Sequence, residues 1–453
     1  MVTDYAINIF SKNQMGLLRG PRVDAQLVNP LRSNLIHNLR EKHGMKNNIK
    51  VVSISLALLA PVAMAKIAPV KRKPPVTKPV AKPAPQAEHL ENVITYPGAS
   101  KVGVSAKQAI LLDYNTGKIL LEKNADERMA PSSMTKMMTT YIVEEKLQKG
   151  ELKSDTEFKV SERAWRTQGS KMFVQLGSNI KVADLHKGIA IQSGNDASIV
   201  VAEGIMGTED GFAIEMNRVA KELGMANTSF KNASGLPDTE HYSTARDLGK
   251  LAMATIRNHQ GYYGVNKEKD FTYNGIKQGN RNPLLYDDIG CDGIKTGHTE
   301  AGGFGVAASC LDGDQRYIAV INGLPSVQAR ADEARKLVGW AKGNFVGKTL
   351  IKKGAVVEKA AKIKDGKKET LPLIASRDLY LLTLRTEAGQ IKTTTHVSDN
   401  LVAPIKAGDR AGSVVASIGD NRVEVELLAN EAIEKENWFI NWAKKMLKRI
   451  GFI

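Results

Sequence analysis

The nine residues Ala130-Pro-Ser-Ser133-Met-Thr-Lys136-Met-Met138 open with a helix-start pattern, Pro131 and Ser132 standing before an apolar run that continues to about Lys149. Three-residue spacing puts Ser133 and Lys136 on one face of that helix. A serine hydroxyl is a poor nucleophile until a neighbouring base takes its proton, and a lysine serves as that base only where burial or a second cation lowers its pKa. The pair therefore reads either as a nucleophile with its base or as a capped helix with a solvated lysine. By chance alone a chain of 453 residues holds roughly two Ser-x-x-Lys matches, so the pair does not decide the matter by itself.

Two further motifs do. Ser193-Gly-Asn195 lies between two helical patterns, 60 residues after Ser133, and Lys295-Thr-Gly297 lies in a strand-like run 102 residues after Ser193. Ser-x-Asn alone is an ordinary helix-to-helix turn, but the three motifs in this order form the signature of enzymes that acylate a serine with penicillin. Here the chain resembles the low-molecular-mass penicillin-binding proteins, the serine-type D-alanyl-D-alanine carboxypeptidases of the peptidoglycan layer. The resemblance spans roughly residues 100–453 and includes Asn124-Ala-Asp-Glu127, Gly235-Leu-Pro-Asp238, His241-Tyr-Ser-Thr-Ala-Arg-Asp247 and Asp292-Gly-Ile-Lys-Thr-Gly-His-Thr299. One departure separates this chain from class A β-lactamases, which carry a Glu in an Ω-loop between the second and third motifs. Asn227–Pro237, where that loop would fall, holds no acid, which favours a peptidase trapped by β-lactams over an efficient β-lactamase.

The chemistry assigns roles. Ser133 attacks the carbonyl between two D-alanines, and neutral Lys136 takes its proton, with a Lys295 cation lowering the pKa of Lys136. Ser193 relays a proton to the leaving amine, Asn195 orients Lys136 or the substrate amide, and the backbone N–H groups of Ser133 and His298 receive the oxyanion. The substrate's free carboxylate requires a cation. Lys295 and Thr296 of the third motif are candidates, and the resemblance points to Arg330, with Arg335 competing; Gly297 and His298 complete the substrate-binding strand. A penicillin-hydrolysing enzyme, a D,D-endopeptidase and a non-catalytic peptidoglycan-binding protein are the alternatives; intact Ser133, Lys136, Ser193, Asn195 and Lys295 argue against the last. No cofactor is implied, and the eight histidines and two cysteines form none of the usual metal-ligand spacings.

Outward from the motifs, residues 96–345 mix two periods. A hairpin is expected at Ala109–Asp113 and Lys118–Leu121, helices at Val182–Gln192, Asp196–Met206, Gly211–Leu223 and Ser243–Arg257, strands at Gly293–Thr299, Gly303–Ser309 and Tyr317–Asn322, then a helix at Gln328–Lys342. This is an α+β domain, an antiparallel sheet sharing a core with a helical cluster. Residues 346–435 turn strand-dominated and form a smaller all-β domain, and Cys291 and Cys310 flank two strands symmetrically, where either a cross-strand bridge or two buried thiols fits. Residues 1–65 are an N-terminal extension ending in an export signal at 45–65: a basic Met45–Lys50, an apolar Val51–Ala60 and Ala63-Met-Ala65. A proline- and lysine-rich linker follows over residues 66–95.

The formal charge of +16 suggests nucleic acid until it is located. Residues 1–65 carry +5, residues 66–85 of the linker +6 and the last sixteen residues +4, so only +1 remains for the rest of the chain, which argues against a nucleic-acid-binding domain. In residues 436–453, Trp438, Phe439, Trp442, Met446, Ile450 and Ile453 share one helical face, while Asn441, Lys444, Lys445, Lys448 and Arg449 take the other. Too short and too charged to span a bilayer, this segment reads as an amphipathic anchor lying in a membrane surface. The expectation is an exported enzyme, peripheral on the periplasmic face of the inner membrane, with peptidoglycan stem peptide as substrate and β-lactams as inhibitors.

Overall fold

The computed structural model describes residues 93–451. The export signal, the extension before it and the linker up to residue 92 lie outside the described residues. Val93–Thr95, which the sequence placed at the end of the linker, instead forms a short edge strand, β1, because three β-branched residues in a row suit a pleated surface better than an extended tether. It pairs with β3 (Ile119–Lys123), which forms the expected hairpin with β2 (Gln108–Asp113). Strands β4 (Cys291–Thr299), β5 (Gly303–Asp312) and β6 (Gln315–Leu324) complete a six-stranded antiparallel sheet in the order β1-β3-β2-β6-β5-β4.

Both faces of this sheet are covered, which explains why β2 is apolar and buried at nearly every position rather than alternating. Ile110, Leu112, Ile318 and Val320 pack under a helical cluster made of α1 (Lys136–Gln148), α2 (Val182–Ala190), α3 (Asn195–Met206), α4 (Glu209–Glu222) and α5 (Ala245–Asn258). The intervening Ala109, Leu111, Tyr317 and Ala319 pack against Ala334, Leu337 and Val338 of α6 (Val327–Asn344). Thr244 caps α5 by accepting the Asp247 N–H at 3.1 Å, and Ser326 caps α6 through the Ala329 N–H at 3.0 Å. Cys291 and Cys310 face one another across β4 and β5 and are joined by a disulfide.

The C-terminal domain begins with β7 (Phe345–Ile351), β8 (Val356–Lys362), β9 (Thr370–Ala375), β10 (Leu379–Leu384), β11 (Lys392–Val397), β12 (Arg410–Ile418) and β13 (Asn421–Ala429). Five of them form a sheet ordered β8-β9-β13-β12-β11, and β7 pairs with β10. Tyr380 on β10 reaches into the α6 side of the first domain, where its hydroxyl donates to buried Asp113 at 3.0 Å. After the last strand comes α7 (Trp438–Arg449). Its Asn441 and Lys445 donate to Asp365 of the β domain at 2.5 and 2.9 Å, while Trp438, Phe439, Trp442 and Met446 stay exposed. No helix among the described residues is long and apolar enough to cross a membrane.

Candidate active site

The helix announced by Pro131 and Ser132 starts only at Lys136. Ser132–Thr135 form a 3₁₀ turn that leads into α1 at Lys136. Side chains three apart eclipse one another in a 3₁₀ turn, and Lys136 Nζ accordingly lies 3.2 Å from Ser133 Oγ. The preceding residue, Ser132, has φ +51°, and this left-handed conformation is held by two neighbours. Its hydroxyl meets Thr299 Oγ1 of β4 at 2.9 Å. Its carbonyl is approached by Gly235, φ +79°, where a Cβ would fall 1.8 Å from Ser132 O.

Lys136 is fully buried. Besides Ser133, Nζ contacts Asn195 Oδ1 at 2.7 Å and the Ser234 carbonyl at 2.5 Å. A neutral amine has two hydrogens and one lone pair, so two acceptors plus one hydroxyl saturate it in a geometry that aims the lone pair at Ser133. Burial brings the pKa of Lys136 down to about 7, Arg281 adds to that, and Asp196 and Glu209 oppose it. Desolvation dominates, and the chief cation acting on Lys136 is Arg281, from a polar loop with no periodicity to mark it, while the mutual repulsion with Lys295 falls on Lys295. Lys295, buried on β4, is itself driven well below its usual value by burial and by Lys136, Arg281 and Arg330.

Ser193 sits between α2 and α3 with φ +60°, and its buried hydroxyl has no hydrogen-bond partner among the described residues. Asn195 opens α3; Oδ1 serves Lys136 and Nδ2 donates to the Gln168 carbonyl at 2.7 Å, so of the two roles expected, orienting Lys136 is the one its geometry serves. Asp196, which the sequence reading passed over, accepts the N–H groups of Met172, Phe173 and Val174 at 2.8, 2.8 and 3.2 Å and so fixes the loop beside the site.

Because β4 is the sheet edge, Lys295, Thr296, Gly297 and His298 border the nucleophile turn with part of their backbone free of a partner strand. Gly297 passes so close that a Cβ would lie 2.9 Å from Pro131 O. The His298 ring is exposed and stacks on Phe304 at 3.8 Å, away from hydrogen-bond chemistry. Arg330, at the start of α6, is 5% exposed, and its Nε has no partner among the described residues. Burial lowers its pKa to about 10, still cationic at neutral pH. Arg335 is held in ion pairs with Asp287 and Asp332 at 2.6 and 3.1 Å, so Arg330 is the guanidinium that remains for an external carboxylate.

A serine activated by a buried lysine, on a sheet edge beside Arg281 and Arg330, which have no carboxylate partner among the described residues, defines a serine acyl-transfer enzyme for anionic substrates. Residues 96–325 match the family described as D-alanyl-D-alanine carboxypeptidase, and residues 345–435 match the C-terminal domain of penicillin-binding protein 5. The chain is 36% identical to D-alanyl-D-alanine carboxypeptidase DacC of Escherichia coli over 365 residues, 79% of this chain and 90% of the relative. Its fold is similar to the crystal structure of penicillin-binding protein 5 from Haemophilus influenzae, with TM-score 0.66 and 34% identity over 75% of this chain and 100% of that one. It is also similar to cefotaxime-bound penicillin-binding protein D2 from Listeria monocytogenes, with TM-score 0.50 and 28% identity over 53% of this chain and 98% of that one. The chain belongs to the serine-type D-alanyl-D-alanine carboxypeptidase family.

Proposed function

We propose that this enzyme removes the terminal D-alanine from peptidoglycan pentapeptide through an acyl-enzyme on Ser133. Ser133 Oγ attacks the penultimate carbonyl carbon while its proton passes to Lys136 Nζ. The oxyanion is received by the Ser133 and His298 N–H groups, and the substrate carboxylate by Arg330 with Thr296 and Lys295. Ser193, whose hydroxyl is otherwise unengaged, passes a proton to the departing amine; D-alanine leaves, and water then hydrolyses the ester. The observation that carries this reading is Lys136, buried, its pKa brought down to about 7 so that about half is neutral at pH 7, and 3.2 Å from Ser133. β-Lactams acylate the same serine because their strained amide mimics the D-alanyl-D-alanine bond.

The enzyme works outside the cytoplasm, on the periplasmic face of the inner membrane. The signal at residues 45–65 supports export, and the exposed Trp438, Phe439 and Trp442 of α7 support a peripheral anchor. Incubating purified protein with pentapeptide and with benzylpenicillin tests the chemistry. Release of D-alanine and a penicilloyl mass on the peptide containing Ser133 are expected. Label on another residue, or penicillin turnover at β-lactamase speed, overturns it.

A further inference from the structure

Far from the nucleophile, the two domains enclose a cavity of about 690 Å³. The β2–β3 and β5–β6 turns of the catalytic domain wall it on one side; the residue after β7, the turn before β10 and the start of β13 wall it on the other. Its back wall is held by one buried carboxylate that both domains share. Asp113 accepts the Tyr380 hydroxyl on one oxygen at 3.0 Å, and the Thr116 N–H and hydroxyl on the other at 2.8 and 2.6 Å. The turn after Thr299 borders Ser132, whereas Asp314 follows the opposite end of the ten-residue strand β5, so about 30 Å separates the cavity from the acyl site.

Charge decides what fits. Lys118, Lys352, Arg377 and Arg422 line the cavity together with Asp314 and Asp378. Arg422 is paired with Glu424 at 3.1 Å. The other three cations have no carboxylate partner among the described residues: Lys118 donates to Asn421 Oδ1 at 2.8 Å, Arg377 donates to the Glu424 carbonyl at 2.7 Å, and Lys352 is exposed. Of the two acids, Asp378 accepts the Lys353 N–H at 2.7 Å, while the Asp314 carboxylate is in no ion pair among the described residues. A pure polyanion would meet two carboxylates here, and a neutral ligand would leave three cations unanswered. The complement is a molecule with two or three carboxylates and one ammonium group.

We propose that this cavity is a second binding site, for peptides with two or three carboxylates and one free amine, the carboxylates on Lys118, Lys352 and Arg377 and the ammonium on Asp314. Peptidoglycan stem tetrapeptides have this composition, so the site holds one peptide of the polymer while Ser133 works on another. The choice of ligand rests on the reading that the enzyme acts on peptidoglycan; the cavity is independent of the chemistry at Ser133.

The test is calorimetric titration of the purified protein after benzylpenicillin has blocked Ser133. The probes are Nα-acetyl-L-Ala-γ-D-Glu-meso-diaminopimelyl-D-Ala, the same peptide with its remaining amine acetylated, and inorganic tripolyphosphate. One site is expected for the tetrapeptide, weakened by added salt and by about tenfold or more in the double variant Lys352→Gln, Arg377→Gln. Acetylating the amine weakens binding severalfold in wild type and has no effect in Asp314→Asn. Penicillin labelling of Ser133 at the wild-type level establishes that each variant is folded. No binding of the tetrapeptide, unchanged affinity in the double variant, equal affinity for the acetylated peptide, or tighter binding of tripolyphosphate overturns the site. Absence of label on wild-type Ser133 overturns the acyl-enzyme reading instead, and titration of the unblocked protein then decides the cavity by the same criteria.

Discussion

Acylation by benzylpenicillin is expected to climb about tenfold per pH unit from pH 5 and to level off above about 7, because only the neutral form of Lys136 can take the Ser133 proton. The size of the effect follows from burial. An ordinary lysine with pKa 10.5 would be neutral in roughly one molecule in three thousand at pH 7, whereas with the pKa at about 7 half the enzyme is competent. The sign is set by the folded-state value: acid converts the base to a cation and switches acylation off. Arg281→Gln removes the chief cationic contribution, so the rising limb moves to higher pH, by up to about one unit. Lys136→Arg, permanently charged, loses roughly a thousandfold or more at every pH. Stopped-flow acylation with a fluorescent penicillin, with intact-protein mass as a check, measures all three. A profile flat from pH 5 to 9, or a midpoint near 10, refutes the assignment of Lys136 as the base.

Arg330→Ala is expected to lower kcat/KM about a hundredfold on a peptide with a free C-terminal carboxylate and to abolish the preference for it over the amidated peptide; equal losses on both substrates contradict the carboxylate role. Gly235→Ala forces a Cβ against Ser132 O at φ +79°, so a loss of roughly 2 kcal/mol or more and slower Ser133 labelling are expected, and a wild-type melting temperature refutes the close approach. Burial alone would raise the Glu144 carboxyl, but His186 at 2.9 Å and His259 at 3.3 Å hold it below its ordinary 4.5. Its stabilisation is therefore present above that value and lost as the pH falls through the lowered folded-state value, so Glu144→Leu is expected to melt lower than wild type at pH 7 and the gap to narrow steadily in acid below 4.5; a gap that does not narrow points to packing instead. Truncation after Glu436 is expected to release the protein from membrane pellets with penicillin labelling intact, and continued sedimentation disproves the anchor.

The three motifs, their order and the residue types that chemistry demands were legible in the chain, because Ser133 and Lys136 are neighbours in one turn and their spacing alone puts them together. The helices of the first domain and the shift to strands after residue 345 were legible too, since 3.6- and 2-residue periods reflect which face each element buries. The amphipathic face of residues 438–450 belongs to the same class of signal. The rest depends on contacts between residues far apart in sequence. Whether Lys136 is acidic enough to act as a base is decided by complete burial and by Arg281, 145 positions away in a loop without pattern. Arg330 and Arg335 look alike on one helix, and only Asp287 and Asp332, by engaging Arg335, separate them. Val93–Thr95 became a strand because β3 was there to pair with it, and the cavity lined by Lys118 and Arg377 exists only where turns of the two domains meet. Periodicity records what one element buries, but desolvation, charge pairing and cavity shape arise between elements, and these were set by the tertiary fold.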